Sequence, residues 1–117
     1  MILNIDRKKV EPDVALLEMS GRISMGSDSQ KIEGGLAELI KEDFKKVVFD
    51  LKDVIYLDSS GIGILLTCYA KLKKAGGSLH ISGAHGIVEE TLRHASVNRI
   101  VPLYPTSAEA ISSFKPA

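Results

Sequence analysis

The stretch Leu57-Asp58-Ser59-Ser60-Gly61-Ile62-Gly63 places a carboxylate, two adjacent hydroxyls and two glycines directly ahead of the apolar run "ILLTCYA". These residue types suit two kinds of chemistry. A side-chain oxygen of Asp58 or Ser59 can cap a helix by accepting one of its unpaired N–H groups. The same helix start, with convergent N–H donors and the positive end of the dipole, tolerates an anion and would leave the serine hydroxyls exposed beside it. Each helical glycine costs about 1 kcal/mol relative to alanine, so a compensating gain is expected. One candidate is access: without a Cβ at Gly61, another backbone or a phosphate can approach the turn closely. A capped helix whose small residues pack against a neighbouring strand would read Asp-Ser-Ser-Gly just as well, so the residues alone leave both readings open.

Enzyme chemistry fares less well. A nucleophile elbow needs Gly-x-Ser-x-Gly, but the residues two before Ser59 and Ser60 are Leu57 and Asp58. A phosphate loop needs a lysine and a hydroxyl after its second glycine, and neither "GIGILL" nor "KKAGGSLHISG" supplies them. The dinucleotide fingerprint fails with Leu66 at its third glycine position. His80, His85 and His94 lack the spacing of a metal site, and Cys68 and Tyr69 read as packing residues within a helix. No cofactor or metal is expected.

The elements that must position this stretch follow from periodicity. "MILNIDRK" and "VALLEMSG", with turn chemistry in Val10-Glu11-Pro12-Asp13, predict an antiparallel hairpin. After the small polar cluster Ser24 to Ser29, Ile32, Leu36, Leu39 and Ile40 mark one face of a first helix. "KKVVFDL" reads as a central strand covered on both faces, followed by a loop around Asp53. Ile62, Leu65, Leu66, Tyr69 and Leu72 then form the apolar face of a second helix, which ends in "KLKKAGG" with basic residues and glycine suited to its dipole and cap. "SLHIS" predicts a strand, "GIVEETLRHA" a third helix, "NRIVPLY" an edge strand, and Ser107 to Phe114 a closing helix. The alternation predicts an α/β fold: a mixed β-sheet with an N-terminal hairpin and helices packed on it, the key stretch lying at the carboxyl end of the central strand, where open sheets tend to meet ligands and partners.

A chain of 117 residues fits one domain, and 44% hydrophobic with 26% charged residues suits a protein that buries a real core. Fifteen basic residues balance fifteen acidic ones, so no overall field recommends nucleic acid or an anionic membrane, and recognition is expected to be local. A single cysteine allows no internal disulfide, charge enters too early for a signal peptide, and the longest apolar run is about half the roughly 20 residues a membrane span needs. The expected localisation is cytoplasmic, without membrane insertion.

With these residues in view, "VVFDLKDVIYLDSSGIGILLTCYAKLKKAGGSLHISG" resembles the STAS domains, the anti-sigma factor antagonist family. The likeness extends over nearly the whole chain, through Gly21 after the hairpin and the tail "VPLYPTSAEAI". It implies one STAS domain over residues 1–117, the last few disordered, with no catalytic residues. It implies an anti-anti-sigma switch: unphosphorylated, the protein binds an anti-sigma factor that is also a serine kinase; phosphorylated, it lets go, and a PP2C-type phosphatase resets it. Ser59 matches the phosphorylated serine, Asp58 the motif acid, and Ser60, Gly61 and Gly63 the rest of a partner-binding motif. Nucleotide and magnesium would belong to the partners. One departure stands out: family members commonly carry Gly-x-Leu/Ile-Asp at the end of the second strand, and here "GRIS" puts Ser24 in place of that acid. Ser24 therefore also motivates an alternative, a STAS interaction subunit that is never phosphorylated and serves a stress-signalling, membrane-transport or lipid-trafficking complex. A third reading is a small phosphate- or nucleotide-binding enzyme using the helix start at Gly61. The oligomeric state is left open by the sequence.

Overall fold

The computed structural model describes residues 2–24 and 26–114, so the disorder expected for the last few residues falls on 115–117, outside the described residues. Strand β1 (Asn4–Glu11) turns at Pro12 and Asp13 into β2 (Val14–Ile23) and pairs with it antiparallel. Helix α1 (Ser27–Lys41) leads to β3 (Lys46–Leu57), α2 (Ser59–Lys74) to β4 (Ser78–Ser82), and α3 (Gly86–His94) through a 3-10 turn (Val97–Arg99) to β5 (Leu103–Tyr104). Helix α4 (Ser107–Ser112) closes the described fold. The five strands lie in the order β1-β2-β3-β4-β5, every pair after the hairpin parallel, with β3 at the centre as its apolar sequence predicts.

Alternation along β3 divides the core. Val47, Phe49 and Leu51 join Ile32, Leu36 and Leu39 of α1, Leu65 and Leu72 of α2, and Val88 and Leu92 of α3 in one large cluster. Val48 points the other way and meets Leu16 and Ala110, with Tyr104, Ile111 and Phe114 packed around them. Three helices thus cover one face and α4 covers part of the other. Each large apolar side chain buried here contributes about 1.5–3 kcal/mol. The edge strand β1 carries Asp6, Arg7, Lys8 and Lys9, with Arg7 paired to Glu42 and Lys8 to Glu18. Such exposed pairs stabilise little, but charges on an edge discourage pairing with a second chain.

Three elements differ from the expectations. Asp53 lies in β3 rather than in a loop: pairing with β2 continues through Ser20↔Asp53 and Arg22↔Tyr56 to Ile23↔Leu57, with register shifts between Glu18 and Ser20 and between Gly21 and Arg22. These irregularities turn Lys52 and Asp53 both outward, which breaks the two-residue period and mimics a loop. "NRIVPLY" begins in the 3-10 turn at Asn98 and Arg99 and is irregular through Pro102, and only Leu103 and Tyr104 pair with β4. The buried stripe of α2 is centred on Gly61, Ile64, Leu65, Cys68 and Leu72, while Ile62, Leu66 and Tyr69 are only partly buried. The small residues Gly61 and Cys68 let α2 sit close to the sheet, rotating its face from the one that bulk alone would choose.

Candidate functional site

The carboxyl ends of β2 and β3 build the site. Ile23 and Leu57 are partners in the ladder, so Ser24 and Asp58 leave the sheet side by side. Asp58 adopts an extended conformation and is the N-cap of α2: its Oδ1 accepts from the Gly61 N–H at 2.9 Å, and its carbonyl accepts from the Ile62 N–H at 3.0 Å. Of the two possible caps, the acid takes the role. Ser59 is consequently the first residue of a 16-residue helix, exposed, and Ser60 beside it is half-buried. By helix geometry the Ser59 and Ser60 amides have no carbonyl a turn behind them, so they and the dipole face whatever anion approaches.

The two glycines play different parts. A Cβ on Gly61 would collide with Leu57 Cδ1 and lie 2.7 Å from the Ile23 carbonyl oxygen. The approach that Gly61 permits is therefore by the chain's own β2, which corrects the expectation that it leaves room for an outside phosphate or partner. Gly61 is buried and sets how closely α2 abuts the sheet. Gly63 is exposed, and a Cβ there would meet nothing within 4 Å. One turn beyond Ser59 at i+4, it leaves a flat patch on the same exposed helix face, continued by Thr67. Ser24, half-buried, completes the rim.

Two features of this edge escape a reading of residue types. Ile55 is 51% exposed although it sits within a run of otherwise apolar character. The Arg22 guanidinium lies 4.2 Å from the centroid of the Tyr56 ring, a cation–π pair joining the ends of β2 and β3. Strict alternation would have buried one of Ile55 and Tyr56; the shifted register exposes Ile55 and leaves Tyr56 half-buried. Arginine and aromatic side chains are among the residue types enriched where proteins touch one another. Among the described residues, no group of three or more His, Cys, Asp or Glu is placed to hold a metal ion, and no helix is long and apolar enough to cross a membrane.

The remaining chemically capable side chains belong to the packing. Cys68 is fully buried, and burial pushes its thiol up to about 12. His80 stacks on Phe114 at 3.9 Å, and its Nδ1 lies 2.7 Å from Ser113 Oγ, tying α4 to the sheet. His85 Nε2 donates to the Lys52 carbonyl at 2.9 Å.

The sequence matches the STAS domain family over residues 7–110, which includes every element from within β1 to within α4. The chain belongs to the STAS domain family. Its relatives include the anti-sigma-B factor antagonist of Bacillus subtilis, 27% identical over 110 residues that cover 94% of this chain and 95% of the relative. Among solved structures, an anti-sigma factor antagonist from Mycobacterium paratuberculosis superposes with a TM-score of 0.84 at 23% identity, covering 96% of this chain and 93% of that one. A sulfate transporter family protein from Wolinella succinogenes gives a TM-score of 0.78 at 20% identity, covering 91% and 88%. This STAS domain thus shares its fold with antagonists and with a transporter family protein alike.

Proposed function

We propose that this STAS domain is an anti-sigma factor antagonist, a non-enzymatic switch that binds an anti-sigma factor with serine kinase activity and is released when that kinase phosphorylates Ser59. A PP2C-type phosphatase returns it to the binding state, and the output is sigma-factor-dependent transcription. The observation that carries the reading is the exposed Ser59 hydroxyl at the first position of α2, directly after the capping Asp58. Phosphorylation there adds about −1.5 to −2 charge. The helix start stabilises that anion within its own domain, so the fold need not change. In a protein interface the same charge must be desolvated beside the Asp58 carboxylate, and losing about 3 kcal/mol there weakens binding roughly a hundredfold. Ile55, the Arg22–Tyr56 pair and the flat surface at Gly63 supply the partner contacts around the serine.

Size-exclusion chromatography of the purified protein with each serine-kinase anti-sigma factor of its genome tests this. A complex should form with the native protein and be lost with Ser59→Asp, whose circular dichroism stays native. A partner that binds Ser59→Asp as tightly as the native protein overturns the reading. Ser24 at the family's acidic position and the likeness to the transporter family protein favour one alternative, a STAS subunit of a stress-signalling, transport or lipid-trafficking complex that is never phosphorylated. Recovery of a permease or transporter ATPase in place of a kinase would select it.

A further inference from the structure

A cavity of about 400 Å³ opens beyond the carboxyl ends of β4 and β5 and shares no lining residue with the Asp58–Gly63 stretch. Its origin is the turn after β4. Gly83 has φ +74, and a Cβ there would lie 2.6 Å from Asp50 Oδ1 and 2.9 Å from the Lys52 nitrogen, so only glycine fits. The Gly83 N–H donates to the Tyr104 carbonyl at 3.0 Å, which anchors the floor to β5. Helix α3 then starts at Gly86 and presents His85, Glu89 and Arg93, four residues apart, along one wall. Lys52 of β3 also lines the cavity, as do the apolar Leu103 and Pro105.

The polar groups converge with donors to spare. Because a carbonyl only accepts, the bond from His85 Nε2 to the Lys52 oxygen fixes the proton on Nε2 and leaves Nδ1 as an acceptor, so the donors open to an anion are those of Arg93 and Lys52. Arg93 uses Nε on Glu89 Oε2 at 3.0 Å, which holds the guanidinium in place with its terminal N–H groups unspent. The Lys52 ammonium makes no ion pair among the described residues. Two cations against the single carboxylate of Glu89 give the lining a net positive charge, although the chain as a whole is neutral. Asp50, buried behind the Gly83 turn, spends one oxygen on the Lys52 N–H at 3.1 Å and does not line the cavity. The volume lies within the range of about 300–1,000 Å³ typical of small-molecule sites.

We infer that this cavity binds a small organic anion, its carboxylate or phosphate head held by Lys52 and Arg93 and its apolar body resting on Leu103 and Pro105. Occupancy is independent of the state of Ser59. Amide NMR titrations with phenyl phosphate and with benzoate test it, with benzyl alcohol as the neutral control. One or both anions should produce saturable shifts at Lys52, Gly83 and Ala84 with a dissociation constant of about 1 mM or tighter, the stronger anion telling phosphate from carboxylate. Benzyl alcohol should not saturate. Lys52→Met and Arg93→Gln should each weaken the anion about tenfold or more, with the remaining spectrum unchanged, whereas Ser59→Ala should bind as the native protein does. Shifts that stay linear to about 20 mM for both anions, equal saturation by the alcohol, or undiminished binding by both cavity variants would overturn the inference.

Discussion

Gly61 and Gly63, two residues apart in one helix, should respond oppositely to alanine. At Gly63 the new methyl enters open space, so only helix propensity changes and stability should rise by up to about 1 kcal/mol. At Gly61 the propensity gain is at most the same, while the methyl meets Leu57 Cδ1, Ile23 Cγ2 at 3.1 Å and the Ile23 carbonyl oxygen at 2.7 Å. The leucine can rotate, but the carbonyl is main chain held in the β2–β3 ladder, so α2 must back away from the sheet. Overpacking of this kind costs about 1–3 kcal/mol, which outweighs the propensity term. Urea unfolding followed by circular dichroism reads both variants. With a slope near 1.5 kcal/mol per M, a net loss of about 2 kcal/mol lowers the midpoint of Gly61→Ala by roughly 1.3 M, and Gly63→Ala raises it by about 0.5 M. A Gly61→Ala variant as stable as the native protein would refute the packing account of that glycine. A Gly63→Ala variant that unfolds earlier would refute the claim that its surface is open.

Asp58→Ala should cost about 1 kcal/mol through loss of the cap on the Gly61 N–H, and Asp58→Asn much less, because asparagine caps as well; equal urea midpoints for the native and Asp58→Ala proteins would contradict the bond. Burial holds the His80 imidazole below its ordinary range, against the Ala110 hydrogen bond and with Lys73 adding to the shift. The unfolded chain therefore takes up the proton first: the contribution is present above the unfolded value near 6.5 and is lost as pH falls through the lower folded value. Hydrogen exchange of α4 amides should accelerate over that acid window, and His80→Phe should flatten the response. The Cys68 thiol, raised to about 12, should resist a thiol reagent at pH 8 until urea opens the fold, and fast labelling of the native protein would contradict its burial.

Much of this fold is legible because α1, β4 and the first half of β3 each announce a single pattern: the apolar positions Ile32, Leu36 and Leu39, or the run at Val47 to Phe49, admit one placement. What stayed hidden depends on contacts between distant parts of the chain. The β2–β3 register shifts that turn Lys52, Asp53 and Ile55 outward arise from pairing with residues some thirty positions away, and no local pattern reports them. The same holds for Gly61, whose sequence context suggests an open approach, whereas the nearby main-chain atom belongs to Ile23. Asp58 and Ser59 were legible as a helix start, since capping chemistry is local. The choice of Asp58 over Ser59 as the cap has no local signature, because both side chains can accept such a bond. The cavity at Gly83 left no mark in the sequence beyond a glycine, its walls being drawn from β3, α3 and β5.

The switch itself is tested most directly at one atom, the Ser59 Oγ. Incubation with a cognate serine-kinase anti-sigma factor and ATP, followed by intact-mass and peptide mass spectrometry, should show the gain of one phosphoryl group mapped to Ser59, with release of the partner in the same sample and no gain in Ser59→Ala. An unchanged mass with every such kinase of the genome, or a phosphoryl group found on Ser60 or Ser24 instead, would contradict the account.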